Sequence, residues 1–186
     1  MESSEISQTE ENPYFTVSTY KLSVMYIMTL GLYAVYWFYK NWKLQQPHVE
    51  KNIWPVWRGV FSIFFAHSLL ERVRITAESK SIATNYSHSL MATVFVSLVV
   101  LGNIVGMFDQ NEEFGIFSII SFTLSMVALY PLRVVQQTVN QINNDPHGVF
   151  NDDMTIINNV FIVIGAVIWF FVVVAALASF GIINLA

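Results

Sequence analysis

Four stretches of this chain run for eighteen residues or more without a charged side chain: 22–39, 90–108, 114–132 and 160–183. A helix rises about 1.5 Å per residue, so runs of this length reach across a hydrocarbon core of about 30 Å. Charge is scarce elsewhere too. Only 12% of the 186 residues are charged, about half of the roughly 25% found in a soluble domain. Too little charge remains to cover a water-facing surface. The fold class expected is all-α integral membrane, with four transmembrane helices at about 22–39, 90–108, 114–132 and 160–183. One further helix, interfacial or re-entrant, is expected at about 54–75.

The same counts exclude several functions. Nine basic residues against thirteen acidic ones give a net charge of −4, which offers no overall basic footprint for nucleic acid. Without a single cysteine there is no disulfide, thiolate metal site or cysteine nucleophile. Residues 1–20 read as an acidic mobile tail, with Glu2, Glu5, Glu10 and Glu11 and no basic residue. That sign is opposite to a secretory signal's n-region, so no cleaved signal is read. Residues 21–186 then form a single membrane domain.

Two elements admit more than one reading. Gly31 lies mid-way along the first run. It allows close packing or a mild bend, or else a break into a re-entrant hairpin; the packing reading is expected, since glycine is common in membrane helices. The element at 54–75 has an uncharged core of only twelve residues, 59–70, and a full crossing would submerge Arg58 or Glu71. It is read as not crossing, with Pro55 in its first turn and one side against protein. The stretch 134–159 reads as a polar loop, and Pro131 before it frees a backbone carbonyl.

Charge sets the sides. If 54–75 does not cross, residues 40–89 hold seven of the nine basic residues (Lys40, Lys43, Lys51, Arg58, Arg72, Arg74 and Lys80) on one side. Arg133 joins them after two more crossings. The basic side is expected to be cytoplasmic, with both termini and the acidic turn 109–113 periplasmic.

Chemistry-bearing motifs are thin. The four histidines, His48, His67, His88 and His147, are widely spaced, and none sits at metal-ligand spacing such as HExxH. The 143–154 loop aligns in part with a calcium loop, but Met154 stands where the bidentate Glu belongs. No catalytic residue, metal or cofactor is expected. Asn103 is expected to make an interhelical hydrogen bond. The candidate polar face is His67, Glu71 and Arg74, which share one side of a helix by i, i+4, i+7 spacing. Lys40, Lys43, Arg58 and Arg72 are the candidate contacts for anionic lipid headgroups.

The string Gly31-Leu32-Tyr33 through Tyr36-Trp37-Phe38-Tyr39-Lys40-Asn41-Trp42-Lys43 resembles a family of uncharacterised small bacterial inner-membrane proteins. The resemblance continues at Pro55-Val56-Trp57-Arg58 and 61–70. It recurs more weakly at Pro131, Val135-Gln136 and Val139-Asn140. It implies a bacterial inner-membrane location and no particular activity. The first functional expectation is a non-enzymatic accessory or scaffold subunit of a membrane assembly. Gly102, Gly106, Gly165, Ala175, Ala176 and Ala178 would allow close helix packing against itself or a larger membrane protein. The alternatives are an oligomeric channel or transporter, and a lipid-binding or lipid-handling protein.

Overall fold

The first apolar run does not form the single span its length predicts. The structure, a computed structural model, describes residues 12–49, 52–108 and 115–183. Across 22–39 it has two helices, α1 (Thr19–Met28) and α2 (Tyr33–Gln45). The cause is local. Leu30 and Gly31 both take left-handed backbone conformations, with φ of +53° and +87°, through which a right-handed helix cannot pass. The Gly31 N–H bonds the Tyr26 carbonyl at 2.8 Å and the Leu30 N–H bonds Ile27 at 3.1 Å, the paired bonds that seal a helix end. Thr29 joins the two helices: its hydroxyl donates to the Met25 carbonyl at 2.7 Å and accepts the Tyr33 N–H at 2.9 Å.

The pair doubles back on itself. Asn41 Oδ1 accepts the Phe15 N–H at 3.1 Å, and Gln45 Nε2 donates to the Pro13 carbonyl at 2.9 Å. The end of α2 therefore lies beside the chain that enters α1. Of the two readings of Gly31, the break is the one the backbone shows: the run is two helices folded back on each other. The hairpin is also the centre of the core, with Leu22, Trp37, Phe38 and Trp42 fully buried. A Cβ at Gly31 would be strained at this φ and would meet the Tyr26 ring. Gly31→Ala should cost about 1–2 kcal/mol, read as a lower unfolding midpoint in detergent. Gly31→Asn should lose less, because asparagine tolerates the left-handed region.

The 54–75 element is likewise two helices, α3 (Pro55–Val60) and α4 (Ser62–Ser79), which meet at Phe61. Pro55 opens α3, as expected. A Cβ on Gly59 would lie 2.8 Å from the Val35 carbonyl, so only glycine lets α3 rest on α2. On α4, Ala66, Leu69, Leu70, Val73 and Ala77 form one buried stripe at helical spacing. Ahead of α3, Gln46 Nε2 donates to the Ile53 carbonyl at 3.3 Å. Past α4, Lys80 Nζ donates to the Ile142 carbonyl at 2.7 Å. This second hairpin thus starts and finishes at the same end of the molecule as the first.

Four helices follow: α5 (His88–Gly106), α6 (Ile116–Val127), α7 (Leu129–Ile142) and α8 (Ile156–Ser179). α6 and α7 form one rod, interrupted at Ala128, where Pro131 offers no N–H to the Val127 carbonyl. Among the described residues, three segments are long and apolar enough to cross a membrane, His88–Gly106, Ile116–Ile142 and Ile156–Ser179. The fourth expected span, 22–39, is not among them, because that run is broken into two shorter helices. The polar stretch expected from residue 134 is helical as far as Ile142.

α8 stands apart, with only 6% of its most apolar window buried. It touches the body where Gly165 passes over α1. A Cβ there would sit 2.1 Å from the Met28 carbonyl. One turn on, Trp169 Nε1 donates to the Ile27 carbonyl at 2.9 Å. The predicted acidic tail lies outside the described residues over 1–11, as does the predicted turn 109–113. The tail's remainder is not mobile: Tyr14, Phe15 and Val17 are buried, and α1 begins at Thr19.

Candidate functional site

Residues 13–18 form a strap whose Tyr14, Phe15 and Val17 side chains are buried and whose backbone groups are held by side-chain amides. Gln136 Nε2 donates to the Phe15 carbonyl at 3.0 Å. Asn140 takes both polar groups of Val17, its Nδ2 donating to the carbonyl at 2.9 Å and its Oδ1 accepting the N–H at 3.4 Å. Asn143 Nδ2 reaches the Tyr14 carbonyl at 2.7 Å, and Asn151 Nδ2 the Thr16 carbonyl at 2.8 Å. Asn41 and Gln45 complete the set from α2. The amides belong to helical stripes: 136, 140 and 143 follow i, i+4, i+7, while 41 and 45 are one turn apart. Gln136 also accepts the Trp37 indole N–H at 2.5 Å and donates to Asn140 Oδ1 at 2.7 Å. Extended backbone buried without sheet partners must find side-chain ones, and this ladder supplies them.

The strap positions the polar end of a crevice. Between the α1–α2 hairpin and α8 lies a cleft of about 650 Å³, within the range of small-molecule sites. Its walls are apolar: Met25, Met28, Leu30, Leu32, Tyr33 and Tyr36 on one side, Phe161, Ile164 and Ile168 on the other. Lys21, Asn151, Thr155 and Asn158 line one end. Lys21 is only 3% exposed. Its ammonium donates to Asn151 Oδ1 and to the Asp153 carbonyl, each at 2.7 Å. Ser18 caps α1 by accepting the Lys21 N–H at 3.1 Å and donates its hydroxyl to Asp152. Thr155 opens α8 in a capping box with Asn158. The lining of α8 from Thr155 to Ile168 extends about 20 Å at 1.5 Å per residue.

The predicted polar face is assembled only in part. Arg74 grips Glu71 through two hydrogen bonds, at 2.6 and 2.9 Å, and reaches Glu78 at 2.5 Å, a partner the sequence reading missed. These bonds hold the Glu71 carboxyl below its ordinary range and the Arg74 guanidinium above its own. The trio is solvent-exposed, where ion pairs stabilise little. His67 leaves it: its ring nitrogen meets Thr93 Oγ1 of α5 at 3.1 Å.

The four predicted lipid contacts also divide. Arg58 turns inward over the Trp42 and Phe65 rings, at 4.2 and 4.9 Å, and Lys40 lies over Phe15 at 5.6 Å. Lys43 is exposed. Arg72 donates to the His48 carbonyl at 3.5 Å and lines a second, polar cleft of about 690 Å³ with Glu71, Thr76 and Lys80. Among the described residues, Asn103 bonds the Val99 carbonyl of its own helix, at 2.7 Å, and no group of a neighbouring helix.

Comparison of the chain with protein-family models, with curated proteins and with solved structures found no match.

Proposed function

We propose that this is a non-enzymatic lipid-binding protein of the bacterial inner membrane, which holds one amphiphile in the crevice between the α1–α2 hairpin and α8. The observation that carries the reading is the cleft itself. It is apolar along its length, polar at one end, and bordered by a helix that barely touches the rest of the molecule. Its reach of about 20 Å equals one leaflet of a bilayer about 40–45 Å thick. An acyl chain can lie along it while the headgroup meets Lys21, Asn151, Thr155 and Asn158.

The orientation follows from the two hairpins, both read as re-entrant. The chain then crosses three times, in α5, in α6 with α7, and in α8. The strap, the described residues on either side of the α2–α3 connection (46–49 and 52–53), the 80–87 connection and the 143–155 loop all fall on one side. The eight basic residues among the described ones then sit on or towards that side, which the positive-inside rule makes cytoplasmic. The first hairpin adds no crossing, so the N-terminal strap is cytoplasmic, while the end of α5 at Phe108 and the end of α8 are periplasmic. Trp54, Trp57, Phe61 and Phe64 are exposed along α3 and the start of α4. Aromatic side chains in that setting suit the headgroup level.

The test is native mass measurement after gentle extraction. A lipid adduct of one molecule per chain is expected to survive detergent exchange. Chains free of lipid in every mild detergent would contradict the reading. A second reading, an accessory subunit that docks on a larger membrane protein, is favoured by the exposed apolar face of α8, where Val163, Val167 and Phe171 face outward.

A further inference from the structure

The polar end of the crevice is charged in a way that selects a headgroup, and this step rests on the lipid-binding reading above. Lys21, a buried residue that lines the cleft, brings one ammonium. Two of its three N–H groups are taken, by Asn151 Oδ1 and the Asp153 carbonyl, which leaves one to donate. Asn158 uses its side-chain oxygen on Thr155, and among the described residues its Nδ2 donates to no group. Two exposed carboxylates stand just outside the lining: Asp152 accepts the Ser18 hydroxyl, and Asp153 carries the backbone carbonyl that holds the Lys21 ammonium. Among the described residues that line the cleft, Lys21 is the one charged group. A simple anionic headgroup reaching past Lys21 would meet these carboxylates, whereas a headgroup carrying both signs meets a partner for each.

We propose that the crevice takes a zwitterionic phospholipid with a primary ammonium, the phosphoethanolamine class. Its phosphate oxygens accept from Lys21 Nζ and Asn158 Nδ2, its ammonium donates to Asp153 and Asp152, and one acyl chain lies against Met28, Tyr33 and Ile164. Charge-assisted bonds of this kind are short and strong. A quaternary choline head has no N–H to give the carboxylates, and a phosphoglycerol head carries only the negative charge.

The experiment uses the full chain in vesicles of equal parts phosphoethanolamine, phosphocholine and phosphoglycerol lipids with matched acyl chains. It reads the bound lipid by native mass spectrometry. We expect phosphoethanolamine lipid enriched about tenfold over each of the others. Asp153→Asn keeps the backbone carbonyl that Lys21 uses and should reduce the preference to near unity, alone or with Asp152→Asn. Equal occupancy by the three lipids, an excess of phosphoglycerol lipid, or an enrichment that survives the double variant would overturn the headgroup assignment and leave the crevice reading intact. No lipid bound from any mixture would overturn both.

Discussion

Ile164→Trp should displace the bound lipid. Ile164 projects from α8 into the crevice and is half exposed, so a larger side chain there fills the cleft without tearing the core. The indole would occupy the path of two or more methylenes. Each buried methylene contributes about 0.8 kcal/mol, so their loss amounts to about a tenfold drop in affinity. Native mass spectra should show the adduct reduced to that extent, with the unfolding midpoint of the lipid-free protein unchanged. Val163→Trp, on the outward face of the same helix, is the control and should keep its lipid. An unaltered adduct in Ile164→Trp would mean that lipid binds elsewhere.

The second large effect concerns the strap. Gln136 is fully buried and serves three groups at once: the Trp37 indole N–H, the Phe15 carbonyl and Asn140 Oδ1. Gln136→Leu keeps the volume and removes every one of those bonds. A buried polar group left without a partner costs about 1–3 kcal/mol, so the variant should lose at least about 3 kcal/mol, a large fraction of the roughly 5–15 kcal/mol of a typical domain. The strap should also loosen, which would expose 13–18 to proteolysis and disturb the polar end of the crevice through Ser18. The adjacent amide, Gln137, is exposed, and Gln137→Leu should stay within about 0.5 kcal/mol of the parent. Equal stability and equal protease resistance in the two variants would show that the ladder does not hold the strap.

These two sites differ in how far the sequence discloses them. α5, α6 and α8 are legible as uncharged runs, and Ser87 and Thr155 mark two of their starts as cap residues. The 22–39 run misleads because a helical hairpin and a single span demand the same thing, apolar side chains over a similar length. What separates them is the backbone at Leu30 and Gly31. Glycine is permissive of a bend, of close packing and of a left-handed turn, so its presence does not choose among them. Leucine at φ +53° is held there by its surroundings, and nothing local announces it.

The amide ladder was hidden for a different reason. Gln136, Asn140 and Asn143 count as polar, so residues 134–142 look like loop. Yet their spacing is that of one helix face, and the same spacing relates Asn41 to Gln45. Read as a buried stripe of donors and acceptors, the pattern calls for an unpaired length of backbone nearby, and residues 13–18 are that length. The His67–Glu71–Arg74 spacing puts three side chains on one side of a helix, but helical geometry alone could not foresee Thr93 arriving from α5 or Glu78 competing for Arg74.

The crevice, the orientation and the headgroup proposal all require the first hairpin to be re-entrant, and sidedness tests that directly. The chain has no cysteine of its own, so single cysteines at Asn12, Ser81 and Phe108 can be probed one at a time in intact cells with a membrane-impermeant thiol reagent. Protection of Asn12→Cys and Ser81→Cys together, with Phe108→Cys labelled from outside, is the outcome a hairpin requires. Labelling of Asn12→Cys from outside while Ser81→Cys stays protected would mean that the first run crosses the bilayer, and the account would fall with it.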